Sequence, residues 1–224
     1  MPANALEYSE SRIAEFLGFT KIKPSKIISG RHCLDAGCGS GRYTYAMLKL
    51  GAMRVDSFDI SPEAVVKCKG INPNAFVFNI MDLEPLPRPI YDFVLCWGVL
   101  HHLPEPRKAF SKLVSQVTKD NGRLTGPSSK QGGMLHIMVY HKKTQKLYER
   151  DRAIWPSLSL EEKLELCKQK VQREGGTVHG WFDALNPEFN WGFEGKEIKK
   201  WFEEEGLSEI KIITTFNINI QGHF

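Results

Sequence analysis

Three glycines at every second position, Gly37, Gly39 and Gly41, are the residues of this 224-residue chain that point most directly to chemistry. A short apolar run ends just before them at Asp35, and the pattern of residues 43–50 predicts a helix after them. A backbone without Cβ atoms, placed at the positive end of a helix dipole, lets a ligand approach closely. The stretch therefore predicts a crevice for a nucleotide or a nucleoside, with a plain tight turn as the structural alternative.

The spacing of the glycines narrows the class of ligand. The dinucleotide fingerprint needs a glycine at the position that Arg42 holds, so a pyrophosphate turn is not favoured. Asp59 ends the second predicted strand, residues 54–58, at the place where such folds bind ribose hydroxyls. We expect Asp59 to be the ribose ligand, and a helix cap is the other role open to it.

Two adjacent histidines follow the fourth predicted strand, residues 92–96. We expect His102 to pack inward and to bond backbone, which would hold its loop in place. His101 is the candidate for contact with the substrate or for accepting a proton.

The residues from Leu34 to Arg42, with Asp-x-Gly-x-Gly-x-Gly after a first strand, resemble motif I of the class I S-adenosylmethionine-dependent methyltransferases. Residues 96–106 are similar to the motif IV region of the small-molecule, ubiquinone-biosynthesis-like group. The resemblance covers residues 30–118 and, by architecture, 132–140 and 195–223. It implies S-adenosyl-L-methionine as cofactor and S-adenosyl-L-homocysteine as product.

The resemblance also implies roles for residues after the third and fourth strands. Asp82 would bind the adenine amine between Met81 and Leu83, and the residues after the fourth strand would lie beside the methionine part of the cofactor. With the ribose ligand, the predicted cofactor site consists of Asp35, Gly37, Cys38, Gly39, Gly41, Asp59, Ile60, Met81, Asp82, Leu83, Cys96, Trp97 and Gly98. Some quinone methyltransferases hold a metal with two glutamates and a histidine here. Gly98 and His101 take the glutamate places in this chain, so no metal is expected.

The elements that must position these residues predict an α/β fold. We expect a Rossmann-like, doubly wound sheet of seven strands, mostly parallel with an antiparallel last strand, and a helical insertion after strand 5. Residues 1–224 would form one methyltransferase domain, with cover helices in 1–30, an inserted mobile loop over 120–131 and an inserted substrate lid over 141–192. A surface helical pair with no role in binding is the alternative for the lid. The predicted substrate-binding residues are His101, Tyr140, His141, His179 and Trp181.

Composition sets wider bounds. Hydrophobic residues make up 42% and charged residues 25%, which is typical of a globular domain. Five cysteines without a C-x-x-C pair are typical of reduced thiols in a cytoplasmic protein. Because we find no secretory leader and no run of 18 apolar residues, we expect a soluble protein with no membrane partner.

The first functional hypothesis is methyl transfer to an oxygen, nitrogen or carbon nucleophile of a small molecule, with nucleic acid not expected as a partner. Methyl transfer to RNA or protein is the second, favoured by the pI near 8.7 and by basic residues around Lys130 and Lys142. A non-catalytic, cofactor-binding regulatory protein is the third. Arg42 disfavours a nicotinamide oxidoreductase.

Overall fold

The computed structural model describes residues 9–86, 90–119, 132–214 and 217–224. Within these residues it contains one sheet of seven strands in the order β3-β2-β1-β4-β5-β7-β6. The strands are β1 His32–Ala36, β2 Arg54–Asp59, β3 Ala75–Val77, β4 Phe93–Trp97, β5 Met134–Tyr140, β6 Ser208–Thr214 and β7 Asn217–His223. Strands β1 to β5 are parallel, and β7 runs antiparallel to both β5 and β6. The predicted fold class is confirmed.

Helices cover both faces of the sheet. They are α1 Glu10–Thr20, α2 Pro24–Ile27, α3 Arg42–Lys49, α4 Pro62–Lys69, α5 Pro106–Val114, α6 Lys142–Ile154, α7 Leu160–Glu174, α8 Val178–Leu185 and α9 Gly195–Glu204. Side chains of α1 and α3 pack on one face, around Phe16 and Met47. Side chains of α5 and α9 pack on the other, around Phe110 and Phe202. The two helical layers flank the carboxyl ends of the parallel strands, which is where ligands bind in such folds.

Two predicted boundaries were wrong, for local reasons. The sequence pattern predicts a third strand over residues 75–80, but the strand ends at Val77, because the Asn79 side chain accepts a hydrogen bond from the Met81 amide and starts a 3-10 turn. The amphipathic pattern predicts a helix over residues 105–118, but α5 ends at Val114. The expected loop over 120–131 and the first eight residues of the predicted cover region 1–30 lie outside the described residues.

The expected helical insertion follows β5 as α6, α7 and α8. It has a small core of its own around Trp155, Cys167 and Leu185. Arg152 of α6 donates hydrogen bonds to backbone carbonyls at and after the end of α8, at 2.8 Å to Leu185 and 2.6 Å to Pro187. The insertion is therefore a packed helical unit at the carboxyl edge of the sheet.

Candidate active site

The glycine loop between β1 and α3 uses left-handed backbone at each of its three glycines, with φ of 80° at Gly37, 54° at Gly39 and 97° at Gly41. A Cβ on Gly37 would lie 2.2 Å from Cγ2 of Val99, in the loop after β4. A Cβ on Gly39 would meet no atom of the described residues within 4 Å. Gly37 thus permits close packing of two loops, whereas Gly39 faces open space.

Asp59 joins the end of β2 to this loop. Its Oδ2 accepts a hydrogen bond from the Gly39 amide at 2.8 Å, and its Oδ1 accepts one from the Ser61 amide at 2.9 Å. Each carboxylate oxygen keeps a further lone pair for a ligand hydroxyl. The neighbouring Ile60 is 67% exposed. The carboxylate therefore orders the turn into α4 and remains available at the crevice.

Asp35 lies beneath the glycine loop in a buried polar network. Its Oδ2 accepts a hydrogen bond from the Thr44 hydroxyl at 2.7 Å, and that hydroxyl is 2.8 Å from Ser57 Oγ. Burial raises the pKa of Asp35 to about 6, and the negative charge of Asp59 adds to the rise, while the Thr44 hydrogen bonds oppose it. Near neutral pH the fold therefore holds a poorly solvated carboxylate at the floor of the crevice.

The other predicted cofactor residues lie at the ends of β3 and β4. Met81 and Leu83 are half-buried on either side of the exposed Asp82. Trp97 packs against Phe19 of α1, with ring centroids 3.6 Å apart and the ring planes tilted by 32°. The remaining members are Gly98, with φ of 80°, Cys38, which is buried, and Cys96, which is fully buried in the sheet core. Helix α1 thus covers the outer side of the β4 end.

The two histidines differ sharply in their surroundings. His102 Nδ1 is 3.0 Å from the Phe189 carbonyl oxygen, which confirms the expected backbone bond. His101 is fully buried and stacks on Tyr140, with ring centroids 3.8 Å apart. Over the part of the chain that the structure describes, neither ring nitrogen of His101 has a hydrogen-bond partner. Burial holds the pKa of His101 well below its ordinary value, so its ring is neutral at neutral pH.

The remaining predicted substrate residues do not all lie together. Tyr140 ends β5 beside His101, and burial raises its pKa, with the nearby charge of Asp183 adding to the rise. His141 caps α6, because its Nδ1 accepts a hydrogen bond from the Lys143 amide at 3.1 Å. Of the two predicted members on α8, His179 is 87% exposed. Trp181 lies against Tyr148, and its indole nitrogen donates a hydrogen bond to the Gly175 carbonyl.

Sequence reasoning missed the segment that leads from α8 back to the sheet. Trp191 donates its backbone amide to the His101 carbonyl at 2.9 Å, and the Phe193 amide bonds the Tyr140 carbonyl at 2.9 Å. Asn190 precedes Trp191, and both polar atoms of its carboxamide are buried. The only sequence signal was the aromatic-rich composition of residues 189–193. What marks the segment is its position against His101 and Tyr140, which is tertiary information.

The described parts of the chain contain neither a candidate membrane-spanning helix nor a candidate metal site. Among the helices that the structure describes, none is both long and apolar enough to cross a membrane. In the described ranges, no three or more His, Cys, Asp and Glu side chains are grouped as a metal site.

Comparison with known proteins shows which proteins this chain is similar to. Residues 34–125 match the family described as "Methyltransferase domain". The tRNA U34 carboxymethyltransferase of Campylobacter hominis is 27% identical over 122 residues, 52% of this chain and 43% of the relative. The mitochondrial ubiquinone biosynthesis O-methyltransferase of Schizosaccharomyces pombe is 35% identical over 129 residues, 51% of this chain and 46% of the relative. The matches thus span less than half the length of these relatives.

Solved structures show the same fold over nearly the whole chain. A SAM dependent methyltransferase from Archaeoglobus fulgidus has a TM-score of 0.60 at 13% identity and covers 96% of this chain and 92% of its own. Magnesium protoporphyrin IX methyltransferase from Synechocystis PCC 6803, with bound SAM, has a TM-score of 0.54 at 15% identity, and the match covers 97% of this chain and 80% of that one. At these identities the likeness concerns the fold alone.

Proposed function

Since this chain contains a methyltransferase domain of the S-adenosylmethionine-dependent class I family, we propose that it transfers a methyl group from S-adenosyl-L-methionine to an oxygen, nitrogen or carbon nucleophile of a small molecule. The observation that carries the proposal is the pairing of an open glycine loop with the Asp59 carboxylate one strand away. This pair suits a ligand with ribose hydroxyls and no phosphates.

Different residues at the crevice would bind different parts of the cofactor. Asp59 would accept hydrogen bonds from the ribose hydroxyls, and Met81 and Leu83 would flank the adenine ring beside Asp82. Asp35, at the floor, would balance the positive charge of the methionine amine. Trp97 and Gly98 would border the sulfonium end, where α1 covers Trp97 and helps to exclude water.

The cofactor supplies a methyl group on a positively charged sulfur. The nucleophile would attack the methyl carbon in line with the carbon–sulfur bond, and the sulfur would leave as the neutral thioether. The chain's own contribution is then mainly alignment, and holding two reactants in line is worth roughly 7–11 kcal/mol. The neutral His101 ring is a suitable acceptor for a hydrogen bond from an acceptor hydroxyl. If the nucleophile is protonated, proton transfer to that ring would add about 10²–10⁴-fold.

A second candidate substrate class is RNA. Helix α6 exposes Lys142, Lys146 and Arg150 one turn apart, next to the carboxyl edge of the sheet. Such a basic row fits a phosphate backbone, and a relative is named as a tRNA enzyme. RNA binding that weakens steeply with salt, and that Lys146→Glu reduces, would favour this class over a small molecule.

The test of the proposal is cofactor binding by calorimetry, followed by a labelled-methyl transfer screen against metabolite extracts. Asp59→Ala should weaken S-adenosylmethionine binding at least ~100-fold, because a charged acceptor for two hydroxyls is lost. Asp56→Ala on the same strand is the matched control, since Asp56 bonds Arg54 and Tyr91 away from the crevice. If Asp59→Ala binds as tightly as the parent, the ribose assignment is wrong.

A further inference from the structure

Two uncharged polar side chains beside the expected methyl-transfer point have buried polar atoms without partners. They are His101, through both ring nitrogens, and Asn190, through its carboxamide nitrogen and oxygen, counting partners over the described chain only. An unpaired buried amide or imidazole is costly, and folded proteins rarely keep one without a use. Two such groups on segments that are hydrogen-bonded to each other therefore indicate a missing hydrogen-bonding ligand.

Hydrogen bonds join the two segments that carry these groups. On one side of Asn190, the Phe189 carbonyl oxygen is 3.0 Å from His102 Nδ1. On the other side, the Trp191 amide donates to the His101 carbonyl at 2.9 Å, and the Trp191 indole donates to Leu103. Both neighbours of Asn190 are thus bound to the loop that carries His101. This anchoring holds Asn190 in place without using its own side chain.

The surroundings of this pair are aromatic and offer little charge to a ligand. His101 stacks on Tyr140, and Tyr140 lies 5.5 Å from the Tyr148 ring. Arg152 is close enough for its charge to act on Tyr140, but its guanidinium already donates to four backbone carbonyls. A carboxylate on the substrate would therefore find this cation occupied. An uncharged, flat ligand fits better.

We propose that Asn190 and His101 bind the edge of the methyl acceptor, an uncharged ring that carries a hydrogen-bond donor next to an acceptor, as in a lactam or a pair of adjacent hydroxyls. A carboxamide offers one donor face and one acceptor face, and a neutral imidazole does the same. The ligand that satisfies both must itself present both. This inference rests on the proposed methyl transfer and adds Asn190 as a residue that selects the acceptor.

The experiment measures binding of three small probes to the protein saturated with S-adenosylhomocysteine, by ligand-observed NMR titration. The probes are 2-pyridone, which has a lactam edge, catechol, which has adjacent hydroxyls, and benzoate, which is charged. We expect 2-pyridone or catechol to bind, and benzoate to bind more weakly than either. Asn190→Leu should lower at least tenfold the affinity for the probe that binds. Asn190→Asp, which keeps the size but loses the donor, should do the same.

Asn186→Leu is the matched control, because the Asn186 oxygen already accepts a hydrogen bond from the Trp155 indole at 3.2 Å. It should lower the thermal midpoint and leave probe binding unchanged. Asn190→Leu should weaken the probe without lowering the thermal midpoint, since it removes an unpaired amide. A purely structural role for Asn190 would produce the opposite pattern.

The outcomes separate the two proposals. If S-adenosylhomocysteine binds but neither uncharged probe does, or if benzoate binds best, the acceptor inference is overturned and the proposed methyl transfer stands. Equal probe binding by the parent and by Asn190→Asp would also overturn it. If S-adenosylhomocysteine itself fails to bind, the proposed function fails and the inference fails with it.

Discussion

Replacement of Asp35 by asparagine should stabilise the ligand-free protein while weakening its cofactor binding. Asp35 is 2% exposed, and burial raises the pKa of its carboxyl from 3.8 to about 6. In the unfolded chain the group ionises near 3.8, so the unfolded state releases its proton first as pH rises. Folding stability is therefore lost between pH 3.8 and about 6 and stays lower above that window.

The magnitude follows from the size of the shift. About two pKa units at roughly 1.36 kcal/mol each amount to roughly 3 kcal/mol at pH 8. The asparagine side chain would carry no charge, and its amide oxygen could still accept the hydrogen bond from Thr44. We therefore expect Asp35→Asn to gain up to about 3 kcal/mol at pH 8 and nothing at pH 3.5. For a chain of this length the gain corresponds to roughly 6–12 °C in the thermal midpoint.

The assay is urea denaturation of the parent and of Asp35→Asn at several pH values between 3.5 and 8, without ligand. Only the difference between the two proteins is interpreted, because other titrating groups act on both. Asp56→Asn is the control of opposite sign: Arg54 bonds the Asp56 carboxylate at 2.8 Å, so this variant should be less stable at pH 8.

Calorimetry on the same samples should show S-adenosylmethionine binding weakened at least tenfold in Asp35→Asn, because the proposed partner of the methionine amine loses its charge. A stability difference that does not change with pH would refute the reasoning. It would mean that the fold solvates this carboxylate as well as water does.

Three further outcomes follow from the structure. Gly37→Ala should lower the free energy of unfolding by roughly 2–4 kcal/mol, because an alanine there has a strained left-handed backbone and clashes with Val99. In a double-mutant cycle measured by urea denaturation, Val99→Ala should recover part of this loss. Strictly additive effects of the two substitutions would exclude the contact. Burial lowers the pKa of His136 to about 4. The free energy of unfolding of the parent should therefore fall by about 3 kcal/mol as pH falls from 6.5 to 4, and that of His136→Gln should depend less on pH. Arg152→Met should speed hydrogen exchange in α8, and unchanged exchange would show that its four carbonyl bonds do not hold the helix.

Local pattern was sufficient for the main parts of the fold. Alternating glycines after a short strand predicted the crevice loop, and the three glycines have the left-handed backbone that such a loop requires. The last two strands are separated by too few residues for a parallel crossover, and they do pair antiparallel. Ser61 followed by Pro62 is typical of a helix start, and the Ser61 hydroxyl does cap α4. These features depend on residues near one another in the chain, so the sequence contains them.

The contacts of the acceptor side depend on residues far apart in the chain. His101 and Tyr140 are 39 positions apart and stack only because β4 and β5 are neighbours in the sheet. The segment after Asn190 returns to these two residues after three inserted helices, through backbone hydrogen bonds to the His101 and Tyr140 carbonyls. His141 and His179 appeared equally suited to binding in the sequence, yet one caps a helix and the other is exposed to solvent. Periodicity reports which residues face inward, and it does not report which distant residues they meet.

The sequence by itself thus determined the succession of strands and helices, the glycine loop and the carboxylate beside it, because backbone conformation and short-range capping follow from neighbouring residue types. Only the tertiary structure decided that Val99 packs where a Cβ on Gly37 would lie, that Asp35 is held without solvent, and that the segment of Asn190 is hydrogen-bonded to the loop of His101. The physical reason is that burial and pairing are properties of the packed chain: a polar group's cost or use depends on which atoms surround it after folding.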